Sequence, residues 1–299
     1  MVSVAFRQCA AIITAVPDHD RLRSLLRDHW HLRPDRITSL ATGVLSRTWA
    51  VSSGADRYVA RLVDANGRQP LEAGMAAGEH LRASGIEAGR PLRTLGGALT
   101  VETPVGVLAV LHRVPGRALA ADDRDDQRVW GERLGTVHRV LQEYSPPEQR
   151  AWNLLDPDGG HLRAEPWLPA AVADAITAMT RLTVTDRLTY GIVHGDPAPH
   201  DFTVDPATGR AGLRDCGAGG TGPLIYDVAA AVIYAGGPRR AAPLLGGYLK
   251  AGPIGPDELT AALPVAMRFR WAVQADRWAR HGDRAALVRA RAALAATPS

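Results

Sequence analysis

At Pro115-Gly116 the spacing of the apolar residues changes period, and no other feature constrains the fold of this chain as strongly. Upstream, the short runs 37–41, 48–52 and 57–63 are separated by turn glycines at 43 and 54. Polar and apolar side chains alternate along 57–63, as in a strand with one buried face. Two more such runs, 98–102 and 107–114, flank the Pro104–Gly106 turn. Leu22, Leu25, Leu26 and Trp30 recur at helical spacing over 18–31, with Asp18 or Asp20 placed to cap and Pro34 to close. Residues 70–84, rich in Ala, Leu and Glu, predict a second helix that Gly85 ends. Downstream the pattern is mainly helical: 125–144, 168–182, 229–234, 241–251, 257–280 and 283–296. Only 191–194, 202–204 and 211–214 interrupt it as short strand-like pieces. The sequence therefore predicts an α+β protein of two lobes. Residues 1–114 make a small antiparallel sheet with helix, and 115–299 a larger, mostly helical lobe. A groove between two such lobes is a usual place for a cofactor.

The 299 residues suffice for two cores. Two cysteines, Cys9 and Cys216, make no disulfide framework, so a reducing cytoplasm is the expected compartment. No run reaches the roughly 18 apolar residues of a spanning helix; 223–237 is shorter and carries Asp227. Residues 1–16 lack a basic leader and are interrupted by Arg7, so no cleaved signal is expected. Lys250 is the sole lysine among 35 basic residues. The arginines are spread along the whole chain and aromatics are only 5%, which argues against nucleic-acid binding. Any task normally given to a lysine must fall here to an arginine.

The chemistry concentrates in His194-Gly195-Asp196-Pro197-Ala198-Pro199-His200-Asp201-Phe202. A short strand delivers Asp196 onto a proline-framed loop, Asp201 follows five residues later, and Asp215 ends another short strand. Phosphoryl transfer needs such a set. One carboxylate orients a hydroxyl and takes its proton, while others hold Mg²⁺ against phosphates.

This segment resembles the His-Gly-Asp-x₄-Asn catalytic loop of the aminoglycoside phosphotransferases and choline-kinase-like enzymes, relatives of the protein kinases. Asp215-Cys216-Gly217 resembles the family's metal loop, and Gly222-Pro223-Leu224-Ile225-Tyr226-Asp227-Val228-Ala229 its following Gly-x-Pro-x-x-Asp-Leu-Ala segment. The stretch Arg268-Phe269-Arg270-Trp271 resembles helices that close over the acceptor. The likeness spans roughly 37–280. It implies a two-lobed protein-kinase-like fold, ATP or GTP as donor and Mg²⁺ as metal. Asp196 would be the catalytic base, His194 would brace the loop, Asp215 would be the main metal ligand and Asp227 a structural aspartate. His281-Gly282-Asp283 repeats the short motif and is read as a helix junction.

Three positions depart from the family pattern. Asp201 stands where asparagine is expected, keeping an oxygen for Mg²⁺ but adding charge. Arg61, in Tyr58-Val59-Ala60-Arg61-Leu62, stands in the place of the phosphate-clamping lysine and offers a bidentate fork. Glu72 is its preferred ion-pair partner, ahead of Glu79. The segment 43–49 replaces a glycine-rich loop, with Ser46 as a phosphate contact. His112, Arg113 and Val114 would form the hinge that meets the adenine edge.

Residues 230–299 hold ten basic and four acidic side chains. That sign repels polycations. The expected acceptor is therefore the hydroxyl of an antibiotic- or metabolite-type molecule other than a polycation, or Ser/Thr of a short biosynthetic peptide. Asp201 and Arg61 also fit a nucleotide-binding pseudokinase. A metal hydrolase built on His194, His200, Asp201 and Asp215 would need a helical setting that the sequence does not predict.

Overall fold

The computed structural model describes residues 18–40, 46–145, 152, 155–185, 187–216 and 220–296. The turn at Gly43, residues 1–16 and Gly217 lie outside them. In chain order the elements are α1 (His19–Trp30), β1 (Arg36–Ser39), β2 (Ser46–Ser53), β3 (Asp56–Val63), α2 (Arg68–Ala83), β4 (Glu87–Ala88), β5 (Thr100–Thr103) and β6 (Gly106–His112). There follow β7 (Arg117–Ala118), α3 (Arg124–Leu141), α4 (Leu168–Thr183), β8 (Tyr190–Ile192), β9 (Phe202–Val204), β10 (Ala211–Leu213), β11 (Thr221–Pro223), α5 (Ile225–Tyr234), α6 (Ala242–Ala251), α7 (Pro256–His281) and α8 (Arg284–Ala296). They divide into two compact units, Met1–Pro115 with Gly212–Ala218, and Gly116–Ala211 with Gly219–Ser299.

The first unit is built on an antiparallel sheet of order β1-β2-β3-β6-β5. Alternation along β3 buries Tyr58, Ala60 and Leu62 on one face. There they meet Leu22, Leu26 and Trp30 of α1, with Trp49, Val51, Leu108 and Val110. Full burial of a leucine such as Leu22 or Leu26 contributes about 1.5–3 kcal/mol. Asp18 caps α1 by accepting the Arg21 N–H at 2.7 Å. Val63, Val107 and Ala109 cluster instead with Leu71 and Met75 of α2. The unit recovers a distant piece of chain, because Gly212 and Leu213 pair in parallel with Glu87 and Ala88. At Gly78 in α2 an added Cβ would lie 2.9 Å from the Gly89 carbonyl and 3.1 Å from the Cys216 Sγ, so glycine lets this segment close onto the helix. Desolvation pushes the Cys216 thiol well above its ordinary range, with the Asp215 charge adding to it.

The second unit is helical, with the short pairs β7–β9 and β8–β11. The helix predicted over 229–234 begins at Ile225, directly after β11. Asp227 thus falls in its first turn, where a negative charge suits the helix dipole. The second His-Gly-Asp is a helix junction: Gly282 at φ 69° ends α7, and Asp283 accepts the Ala286 N–H at the start of α8. Among the described residues no helix is long and apolar enough to cross a membrane.

Candidate active site

β8 runs into the buried Val193 and His194, and the chain then turns at Gly195, whose φ of 90° disfavours a side chain. The turn is fixed by Asp227, which is wholly buried. Its carboxylate accepts the His194 N–H at 2.5 Å and the Gly195 N–H at 2.8 Å. His138 of α3 adds an Nε2 contact at 3.1 Å, and its Nδ1 lies 2.8 Å from the Tyr248 hydroxyl. Burial alone would raise the Asp227 pKa, but the His138 contact, nearby histidine charge and the Gly195 N–H hold it below its ordinary value. Asp227 therefore braces the loop backbone and ties it to α3. The His194 imidazole stacks on Phe202 at 6.4 Å, and its Nδ1 is 3.4 Å from the Asp196 N–H.

Asp196 stands beyond this turn with its side chain 42% exposed. Arg270 of α7 binds its Oδ1 through one terminal nitrogen. The other terminal nitrogen of Arg270 donates to the Gly195 carbonyl at 3.0 Å and the Tyr226 hydroxyl at 2.7 Å. The guanidinium also lies over the Tyr226 ring, 5.4 Å from its centroid. Burial works against the Arg270 charge, but Tyr226 and Asp196 outweigh it and hold the group firmly protonated. The Tyr234 hydroxyl donates to the same Oδ1 at 2.9 Å. Desolvation, reinforced by the Asp196 charge, raises the Tyr234 pKa and keeps this phenol protonated. The second oxygen, Oδ2, faces Arg277 of α7 at 3.9 Å. The loop closes through Asp201, whose Oδ2 accepts the Ala198 N–H at 3.2 Å and whose Oδ1 lies 3.7 Å from His200 Nε2.

In the first unit, Arg61 occupies β3 opposite Ala109 and binds Asp215 Oδ2 at 2.5 Å. Both side chains are about a quarter exposed. Glu72 instead binds Arg68 at 3.0 Å and accepts the Thr100 hydroxyl at 2.5 Å, while Glu79 binds Arg93. Ser46 begins β2, opposite Val63. His112 ends β6; its N–H donates to the Arg90 carbonyl at 2.8 Å, and the next N–H, of Arg113, to Arg57 at 2.9 Å. Burial and the Arg90 charge depress the His112 pKa. Val114 is buried. Among the described residues no three His, Cys, Asp or Glu side chains gather into a metal-holding group. Single carboxylates such as Asp215 and Asp201 suit a hard dication that keeps water and phosphate ligands.

The tie of Arg270, Tyr234 and Arg277 to Asp196 was not read from the sequence. One signal was present. Arg270 falls on the face of α7 that buries Leu263, Ala266, Met267 and Phe269, and an arginine there requires a partner.

The comparisons with known proteins bear on the fold and the family. The fold is kinase-like. It is similar to the amicoumacin kinase hAmiN in complex with AMP-PNP, Ca²⁺ and Ami, at 17% identity and TM-score 0.74 over 93% of each chain. A microcompartment-associated aminopropanol kinase matches at 18% identity and TM-score 0.72, over 92% of this chain and 94% of the other. The choline kinase LicA from Streptococcus pneumoniae matches at 12% and 0.66, over 92% and 98%. No curated protein matches the sequence. The model of the phosphotransferase enzyme family (APH) matches residues 36–263, and the chain belongs to that family. It is a phosphotransferase of the kind that acts on hydroxyl groups of small molecules.

Proposed function

We propose that the chain transfers the γ-phosphoryl group of ATP, or of GTP, to a hydroxyl of a small acceptor that is not a polycation. The observation that carries this reading is the Asp196 carboxylate on its braced loop, with Oδ1 occupied by Arg270 and Tyr234, Oδ2 3.9 Å from Arg277, and the side chain 42% exposed. An acceptor hydroxyl hydrogen-bonds to Oδ2. Its oxygen forms the new O–P bond, its proton passes to Asp196, and the bond from the γ-phosphorus to the β-bridging oxygen breaks with its electron pair leaving on the nucleoside diphosphate. Holding Oδ1 on two donors keeps Oδ2 as the basic atom and fixes the angle at which the hydroxyl is met.

Asp215 and Asp201 would hold Mg²⁺, which when bound neutralises phosphate charge. Arg61 serves in the place of a lysine. It is already paired with Asp215, so its guanidinium and the metal ligand are held as one unit before nucleotide arrives. Ser46 is assigned to the phosphates, and His112 and Val114 to the base. The His112 N–H is engaged by Arg90, so the hinge would use its carbonyl and the Val114 backbone. Neighbours of the fold captured with AMP-PNP support nucleotide use. The test is calorimetric titration with Mg·ATP and Mg·GTP, followed by transfer of labelled γ-phosphate to hydroxylated acceptors. Binding of at least one nucleotide with formation of an acid-stable phosphate ester supports the reading; neither nucleotide binding would sink it.

A further inference from the structure

The surroundings of Asp196 narrow the acceptor to a chemical class. Arg270 and Arg277 stand seven residues apart on α7, two turns along one face. Arg270 is only 6% exposed and its terminal nitrogens hold Asp196, Gly195 and Tyr226. It is structural to the loop. Arg277 differs. Its side chain is 37% exposed, and its ionic contact with Asp196 Oδ2, at 3.9 Å, is too long for a directed hydrogen bond. The neighbouring carboxylate does not neutralise it, because Asp276 turns to His161 Nε2 at 2.5 Å and to Arg280 at 2.9 Å. Asp196 thus has one negative charge facing two guanidiniums, and residues 230–299 of the chain hold ten basic side chains against four acidic ones.

We infer that Arg277 is an acceptor-binding residue, and that it selects acceptors carrying a carboxylate or phosphate within a few bonds of the hydroxyl to be phosphorylated. The inference rests on the proposed phosphotransferase reading and deepens it. The hydroxyl meets Asp196 Oδ2, and the anionic group takes the guanidinium fork beside it. An ammonium at the same place would meet Arg277 directly and be repelled.

Two sets of matched compounds test this with Mg·ATP. The first is glycerate, glycerol 3-phosphate, glyceramide and 3-amino-1,2-propanediol. The second is gluconate, sorbitol 6-phosphate, gluconamide and glucamine. Wild-type protein is expected to favour an anionic member over the amide by at least about 10-fold in kcat/KM, with the amine poorest. Whether carboxylate or phosphate leads identifies which anion is read. Arg277→Gln should collapse the anion-to-amide ratio towards one, Arg277→Lys should retain most of it, and Arg277→Glu should invert it in favour of the amine. A merely structural role for Arg277 would lower all rates together and leave the ratio unchanged, which overturns the inference. Preference for the amide or amine, or transfer to no member, also overturns it. If Mg·ATP still binds in that last case, the phosphotransferase reading stands; if it does not bind, both readings fall.

Discussion

Arg270 of α7 holds the Asp196 carboxylate with one terminal nitrogen and the Gly195 carbonyl with the other, so a single buried guanidinium grips both the Asp196 side chain and the turn that presents it. Arg270 also fills the space above the Tyr226 ring. Its replacement therefore acts on shape, charge and position at once. Arg270→Met should cost about 2–4 kcal/mol in urea unfolding, since it leaves Tyr226 and Gly195 without a donor. Arg270→Lys keeps the charge but not the fork. It should recover most of the stability while kcat for transfer stays roughly 10-fold or more below wild type, because the loop is no longer gripped at two points.

Replacing the proposed base, Asp196, separates chemistry from binding. Asp196→Ala should lower kcat by roughly 10²–10⁴-fold and leave the Kd for Mg·ATP nearly unchanged by calorimetry. The paired donors predict one further effect: Arg270 is then left buried opposite an alanine, so a measurable loss of melting temperature accompanies the loss of turnover.

The Arg61–Asp215 pair predicts a metal-dependent effect. Asp215→Ala should weaken nucleotide binding by about 10-fold or more with Mg²⁺ present and much less in EDTA, because only the metal-borne part is lost. Arg61→Ala should weaken binding in both conditions, since in the proposed role its charge meets phosphate directly. Equal effects of both substitutions in EDTA would separate Asp215 from metal binding.

Asp227 couples stability to acid. Its pKa is held below the ordinary value of 3.8 in the fold. An unfolded chain binds the proton more readily, so the contribution of Asp227 is fully present above the unfolded value and lost as pH falls through the lower, folded one. Unfolding free energy measured between pH 6 and pH 3 should therefore decline towards the acid end. Asp227→Asn should flatten part of that decline and lower stability at neutral pH by about 3–5 kcal/mol.

These relationships show what the linear chain reveals and what it hides. The strand Phe202–Val204 lies where the sequence predicts it, and β2, β3 and β6 follow within a few residues, because alternation and turn glycines are local signals. The two-residue strands β4 and β7 are too short to show a period, and they are set by tertiary pairing with Gly212–Leu213 and with β9. Asp227 reads from sequence as a residue that caps or braces a helix; the geometry makes it the acceptor of two consecutive loop N–H groups. The partners of Asp196 were hidden by distance along the chain: Tyr234 lies 38 residues away and Arg270 lies 74. Arg270 broke the apolar face of α7, but nothing in the sequence named the carboxylate it would meet. Likewise, the local pattern offered Glu72 to Arg61, while Thr100 and Arg68 engage it and Asp215 takes the arginine.

The most direct measurement is single-turnover transfer of labelled γ-phosphate from Mg·ATP to a screened hydroxylated acceptor, by wild-type protein and by Asp196→Ala in parallel. The account predicts a phosphate ester with wild type, and little or none with Asp196→Ala despite equal nucleotide occupancy. Full transfer by Asp196→Ala, or nucleotide bound by both proteins with ester formed by neither, would contradict it.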